Sequence, residues 1–338
     1  MEYAPSQMLT SLLRDVSRSF YLTLRVLPGA IRPQIGLAYL LARTSDTIAD
    51  TQLVPLDQRL AALQALSDQI LGRNTAVFGL ADLARHQGSP AERALLEKCD
   101  TTLALVRDLS RPDRDLVVAV LQTIISGQEL DLRRFAGASQ NNVVALNLAE
   151  ELDDYTYRVA GCVGEFWTRI CHAHLFAHTP LDEAFLLANG IRFGKGLQLV
   201  NILRDLPVDL RQGRCYIPYD RLKGCNLNPA DLLQPSNERR LRPVYNDLLN
   251  QAEGHLKAGW AYTNHLPWRS VRVRLACAWP LLIGQRTTEL LRSGNVLETE
   301  PRLKVSRRAV KKILWRSVLY YPLPRRWKGL FPTASAHH

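Results

Sequence analysis

The amino-acid sequence predicts an all-α protein, and three observations carry that prediction. Apolar residues recur every three or four positions over most of the 338-residue chain, segments alternating in the manner of strands are scarce, and Pro, Gly and Asn gather between the periodic stretches, at 212–236 and 264–270. With 46% hydrophobic and 22% charged residues, the chain has a globular composition and can bury a substantial core.

Taken in order, the first strong helix runs from Arg32 to Asp50, with Ile35, Leu37, Ala38, Leu40, Leu41 and Ala42 at helical spacing and Pro33 in the first turn. Leu56 to Leu71 is amphipathic, placing Leu60, Leu63, Leu66 and Ile70 on one face. Glu92 to Leu109 reads as one helix, and Arg114 to Leu132 as another, capped by Asp113 after Pro112. Glu150 to Phe176, Leu181 to Leu210, Arg239 to Asn264 and Val271 to Arg292 complete the set. No linker or repeat divides the chain. The expectation is a single helical domain over 1–295 followed by a basic extension, 296–338.

Several function classes are disfavoured by composition. The formal net charge is +11, from 43 Lys+Arg against 32 Asp+Glu, a balance that suits nucleic acid, an anionic membrane or a polyanionic small substrate. No zinc-finger spacing or aromatic RNA-binding motif accompanies it, so no nucleic-acid partner is expected. The six cysteines form no C-x-x-C pair and there is no H-E-x-x-H, so structural zinc is not expected and the cysteines read as small core residues. The first ten residues lack a signal-peptide pattern and no stretch is long and apolar enough to span a bilayer, so a cytoplasmic chain is expected.

Two aspartate pairs carry the chemistry. Asp46 and Asp50, and Asp205 and Asp209, are each four residues apart, which on a helix puts both carboxylates on one face, one turn apart. Such a pair repels unless a cation joins it, and Mg²⁺ bridges one or two carboxylates to substrate phosphates. An isolated pair of this kind is common on solvated helix faces. Here, however, Arg43 shares the face of the first pair, Arg204 and Arg214 flank the second, and the neighbouring stretches 39–42 and 197–203 are apolar. Acids for a metal, arginines for phosphate and apolar walls that would keep water from a carbocation suit a substrate with a diphosphate head and a hydrocarbon tail. The acids are therefore expected to face an interior cavity.

At this point the residues resemble a known family, the head-to-head trans-isoprenyl diphosphate synthases, which comprise the squalene and phytoene synthases. Four segments carry the resemblance in the family's order: Ser17-Arg18-Ser19-Phe20; Tyr39 through Asp50; Tyr155-Thr156-Tyr157-Arg158-Val159-Ala160-Gly161 with Val163-Gly164; and Gln198 through Asp209 with Gly213-Arg214 and Tyr216-Ile217-Pro218. It covers roughly residues 10 to 290 and implies an isoprenoid-synthase helical bundle around a central active-site cavity. It further implies that Asp46, Asp50, Asp205 and Asp209 hold Mg²⁺ and that Arg43, Arg204 and Arg214 contact diphosphate. Ser17, Arg18, Ser19, Phe20, Tyr39, Gln198 and Asn201 would line the substrate site, and Tyr155 would stabilise charge or move a proton. Two departures stand out: Ala49 and Val208 occupy positions where the family often has Glu. Pro207 also removes a helical N–H and should kink the second motif.

Within that family, squalene synthases quench the rearranged cation with hydride from NADPH, whereas phytoene and dehydrosqualene synthases lose a proton. The wording of residues 39–48 and the basic strip Leu303 to Val310 lean towards squalene from farnesyl diphosphate, with Lys304, Arg307 and Arg308 near NADPH phosphates. No G-x-G-x-x-G fingerprint is present. A terpene cyclase or chain-elongating synthase on a similar bundle, and a non-catalytic helical scaffold or assembly factor derived from the family, are the remaining alternatives. The segment Lys311 to Leu330 mixes aromatic, aliphatic and basic residues, which suits either peripheral contact with an anionic membrane or packing on the bundle.

Overall fold

The computed structural model describes residues 5–17, 20–74, 80–300 and 302–331, and helices dominate them. The chain divides into two compact units, Met1–Arg133 with Phe166–Pro180, and Arg134–Glu165 with Leu181–His338. The first unit carries α1 (Pro5–Ser17), α2 (Phe20–Val26), α3 (Arg32–Asp50), α4 (Leu56–Ile70), α5 (Ala81–Arg85), α6 (Pro90–Glu97), α7 (Cys99–Arg107) and α8 (Arg111–Arg134). Its core helix is α3, whose Leu40, Leu41 and Ile48 are fully buried and which packs on α1, α4, α6 and α7.

Two sequence expectations are corrected here. The stretch 92–109 is two helices, because Lys98 leaves helical geometry (φ −96°, ψ 7°); the apolar period continues across the break through Leu95, Cys99, Thr102 and Val106, all buried, so the pattern reads as one helix. Asp113 does not cap α8. The helix begins at Arg111, and the Asp113 N–H donates to Ser110 Oγ at 3.4 Å. The Asp113 carboxylate is instead buried, accepting from Gln34 Nε2 (3.0 Å) and lying 2.7 Å from His174 Nε2.

The second unit begins with β1 (Val144–Ala145) and α9 (Ala149–Thr156), which widens into a π turn, Tyr157–Gly161; α10 (Cys162–Cys171) follows, its residues from Phe166 onward belonging to the first unit. Then come α11 (Glu183–Arg211), β2 (Arg214–Cys215), α12 (Tyr219–Lys223), α13 (Glu238–His265), α14 (Val271–Ser293), α15 (Arg307–Tyr320) and α16 (Pro324–Lys328). The long α11 is the hub, packed on the π turn, α13 and α14. The approach to the π turn is glycine-dependent: a Cβ at Gly194 would run into the Ala160 carbonyl, and one at Gly164 into the Gly190 carbonyl. No helix among the described residues is long and apolar enough to cross a membrane.

The basic C-terminal segment is anchored to this unit. Trp327 is fully buried, stacks on Trp260 (5.3 Å) and donates from Nε1 to Asn264 Oδ1 (2.9 Å). Phe331 stacks on Trp260, Tyr321 stacks on Trp268 (4.4 Å), and Trp279 donates to Ser317 in the middle of α15. Pro322 lies between α15 and α16, and Pro324 opens α16. All six cysteines are free thiols and five are buried; burial pushes Cys99, Cys162 and Cys215 up to about 12, so these behave as core residues.

Candidate active site

In the first unit, α3 presents Tyr39, Arg43, Asp46 and Asp50 along one face, since their spacings of three and four residues advance by whole turns. Arg43 lies 3.6 Å from Asp46 through Nη1 and 2.6 Å from Glu92 on α6 through Nη2. Gln128 on α8 donates from Nε2 to Asp46 Oδ1. Its own Oε1 is buried and finds no donor among the described residues. Asp46 is pushed up to about 7, first by the protein packed around it and then by the charge of Asp50, against the pull of Arg43 and Gln128. Its side chain nevertheless keeps 48% of its surface open to solvent, so water or a ligand reaches it.

In the second unit, Gln198, Asn201, Asp205 and Asp209 follow one another along α11. Asp205 is gripped by Arg204, with Nε to Oδ1 at 3.0 Å and Nη2 to Oδ2 at 2.5 Å, and by Arg302 Nη2 at 2.5 Å from Oδ1. Burial pushes the Asp205 carboxyl up, but the two guanidinium groups outweigh it and hold the group below the usual carboxylate range. Arg214 is placed by local backbone chemistry: Gly213 adopts φ 79°, where any Cβ would meet the Ser139 backbone, and Arg214 then pairs with Val144 in the parallel β1–β2 contact.

Pro207 lies inside α11 without ending it. The N–H it lacks would have bonded the Leu203 carbonyl four residues earlier. That carbonyl accepts instead from Tyr245 Oη of α13, at 2.9 Å. Tyr245 is fully buried, and burial holds its phenol far above the ordinary value, so it remains a donor. The helix between the two aspartates thus keeps its hydrogen bonding through a side chain from another helix.

The remaining predicted residues fall as follows. Tyr155 on α9 stacks on Tyr216 at 5.0 Å, and Tyr216 meets Phe135 edge-on at 5.1 Å. Ser17 is buried at the end of α1, its hydroxyl donating to the Leu13 carbonyl. Arg18, Ser19 and the side chain of Phe20 lie outside the described residues. Lys304, Arg307 and Arg308 are exposed, and Ser306 caps α15 by accepting from the Ala309 N–H at 3.2 Å. A depression of about 640 Å³ is lined by Glu150, Asp153, Asp154 and Tyr157 among others; none of the predicted residues lines it.

Four residues around the two sites escaped the sequence reading: Glu92, Gln128, Tyr245 and Arg302. Gln128 did leave a signal, being a polar residue on the stripe of Val117, Leu121 and Ile124 that α8 buries. The other three come from elements remote in sequence, and no local pattern marks them.

The donors suit a magnesium ion. Each pair offers hard oxygen ligands one turn apart, and in the first pair the two carboxylates are close enough for Asp50 to disfavour the charge on Asp46, a conflict that a cation relieves. The unpaired Gln128 Oε1 beside Asp46 is a further oxygen of the same kind. Among the described residues no three His, Cys, Asp or Glu side chains converge on one point; Mg²⁺ bound at a pair would complete its shell with water and phosphate oxygens.

Comparison with known proteins extends the reading to most of the chain. A model of the squalene/phytoene synthase family matches residues 13–309. A bifunctional lycopene cyclase/phytoene synthase of Leptosphaeria maculans is 29% identical over 72% of this chain, and the match spans about two-fifths of that relative (39%). The squalene synthase of Schizosaccharomyces pombe is 26% identical over 87% of the chain and 61% of its own length, and the presqualene diphosphate synthase of Zymomonas mobilis is 30% identical over 72% and 70%. Among solved structures, the complex of TcSQS with BPH1237 superposes with a TM-score of 0.78 at 21% identity, covering 99% of this chain and 93% of that one. A dehydrosqualene synthase superposes with a TM-score of 0.66 at 22% identity, covering 93% and 95%. At such identities these likenesses speak for the fold, which is that of the squalene synthase-type helical proteins. With the family's model matched over most of the chain, and with its paired aspartates each set beside an arginine, this protein belongs to the squalene/phytoene synthase family of isoprenoid-forming transferases.

Proposed function

We propose that the chain joins two farnesyl diphosphates head to head, through presqualene diphosphate, to squalene, with Mg²⁺ and NADPH. Residues 1–295 would form the synthase domain and 296–338 its basic extension. The observation that carries the reading is the pairing of each Asp-x-x-x-Asp with an arginine: Arg43 on Asp46, and Arg204 on Asp205. Two such sets suit two diphosphates. The retained carboxylates and arginines count against a non-catalytic scaffold.

In this reading Asp46 and Asp50, and Asp205 and Asp209, hold Mg²⁺, which when bound neutralises negative charge on the leaving diphosphate. Arg43, Arg204 and Arg214 fix diphosphate oxygens in forked hydrogen bonds. The C1–O bond of one allylic diphosphate breaks, and the other substrate's double bond attacks the resulting cation. The Tyr155 ring stabilises that cation through its face, held in place by the stack on Tyr216. The proton whose loss closes the cyclopropane would pass to the released diphosphate through Tyr155 Oη, which gives up its own proton as it takes up the new one. Loss of the second diphosphate would leave a rearranged cation, for which NADPH, when bound, would supply the hydride. Lys304, Arg307 and Arg308, at the capped N-terminus of α15, offer a cationic site for a dinucleotide phosphate. The hydrocarbon product partitions into lipid, which fits a peripheral position at a membrane.

The test is incubation of the purified protein with farnesyl diphosphate and Mg²⁺, with and without NADPH, and identification of the products by mass spectrometry. Squalene formed only with NADPH is the expected result. An identical product with and without reductant would favour the dehydrosqualene or phytoene type of reaction and end the squalene reading.

A further inference from the structure

We propose that the outward face of α15, together with the adjoining α13–α14 turn, is a docking surface for an anionic lipid bilayer. The helix has two faces of opposite character. Ser317 is buried and Ile313 packs towards the core, whereas Trp315 is 75% exposed, Leu319 66% and Val318 49%, and Leu323 just beyond the helix is 43% exposed. Lys311, Lys312, Trp315, Val318 and Leu319 follow one another at helical spacing, so the outward face is cationic in its first half and apolar in its second.

The apolar patch does not end with the helix. Tyr321 stacks on Trp268 at 4.4 Å and donates from its hydroxyl to the Trp268 carbonyl. This contact sets Trp268 and Val271, both exposed, beside the end of α15, flanked by the exposed Arg269 and Arg272. The buried Trp327 and Phe331 hold the segment from the other side, so the face is presented on an anchored scaffold.

Exposed large apolar side chains on this scale mark an interaction surface, and their surroundings select the partner. From Lys311 to Phe331 there are six Lys and Arg and no Asp or Glu. Aromatic and aliphatic tips ringed by cations suit the boundary between headgroups and acyl chains, where apolar burial and attraction to anionic lipid act together. A second copy on this face would set one cationic ring against another, which opposes docking. A nucleic acid would satisfy the cations but leave Val318, Leu319 and Leu323 without an apolar partner. The inference rests on the peripheral membrane position proposed above and assigns the surface that makes the contact; none of the residues substituted below belongs to the proposed catalytic machinery.

Flotation of the full chain with vesicles of phosphatidylcholine alone, and of phosphatidylcholine mixed with phosphatidylglycerol, tests it. The wild type is expected to float with the mixed vesicles, less so in high salt, and to stay behind with the neutral ones. Trp315→Ser with Leu319→Ser should cut the bound fraction about tenfold or more. Lys311→Gln with Lys312→Gln should cut it by about fivefold per charge. These side chains are exposed, so melting temperature and squalene-forming activity in detergent should match wild type. Vesicles with brominated chains should quench tryptophan emission in the wild type and less in Trp315→Phe, a readout independent of either double variant. Failure of the wild type to bind mixed vesicles, equal binding to neutral ones, or full binding by both double variants would overturn the proposal. So would a dimer in sedimentation that Trp315→Ser with Leu319→Ser dissolves while vesicles are ignored.

Discussion

Gly194→Ala separates two physical effects of opposite sign at the contact that sets the Tyr155 helix against α11. In a helix interior, alanine is favoured over glycine by about 1 kcal/mol, so propensity alone predicts stabilisation. At Gly194, however, a methyl would lie 3.0 Å from the Gly161 Cα and closer still to the Ala160 carbonyl. Carbon atoms pack at about 3.5–4.0 Å, so the helices would have to part by roughly half an ångström or more. The obstacle is backbone, which cannot rotate away, and this puts the cost at the upper end of overpacking penalties, about 3 kcal/mol. The net expectation is a loss of about 2 kcal/mol, or roughly 3 °C in melting temperature for a chain of this length. Gly254→Ala in α13 is the control: nothing lies within 4 Å of its Cβ position, so it should gain up to about 1 kcal/mol. Thermal and urea melts of both variants measure the pair. Because the same seam positions Tyr155, Gly194→Ala should also lower kcat more than it raises KM. If Gly194→Ala melts at or above wild type while Gly254→Ala gains as expected, the close backbone approach inferred at this seam is wrong.

Other expectations follow from the same geometry. Tyr245→Phe leaves the Leu203 carbonyl without its donor and should cost about 1–3 kcal/mol; a Pro207→Ala background, which restores the helical N–H, should remove most of that cost, and an unchanged cost there would sink the repair argument. Burial pushes the Asp113 carboxyl up, but its hydrogen bonds to Gln34 and His174 outweigh this and leave it below the usual range. Its contribution to stability is therefore full above the unfolded carboxylate value of about 3.9 and disappears as pH falls through the lower folded value. Urea melts should accordingly show Asp113→Asn less stable at neutral pH, with the gap to wild type closing below about pH 4. Asp46→Ala and Asp205→Ala should each lower kcat by about a hundredfold or more at saturating Mg²⁺; full activity in either would count against that pair as a metal site. Arg302→Ala removes one of two guanidinium groups from Asp205 and, being half exposed, should change KM for the diphosphate by only about two- to fivefold. A loss of kcat as large as that of Asp205→Ala would instead place Arg302 in the chemistry.

What the sequence determined by itself was local and periodic. Helical spacing located α3, α8, α11, α13 and α14 to within a few residues, because each buries one stripe against a core and the stripe is written in the order of residues. The paired aspartates with Arg43 and Arg204 were legible for the same reason: neighbours on a helix face lie three or four residues apart in the chain. What only the tertiary structure decided involves partners distant in sequence. The unbroken period across Lys98 concealed a helix break, and the carboxylate of Asp113 was drawn from the cap position into a buried contact with Gln34 and His174. Pro207, which read locally as a defect in the second motif, is accommodated because Tyr245, thirty-eight residues on, supplies the missing donor. The C-terminal aromatic residues were divided by packing alone: Tyr321, Trp327 and Phe331 turn into the core of the second unit while Trp315 and Leu319 remain in water. A side chain's turn on its helix is set by what that helix packs against, and that information lies in the rest of the chain.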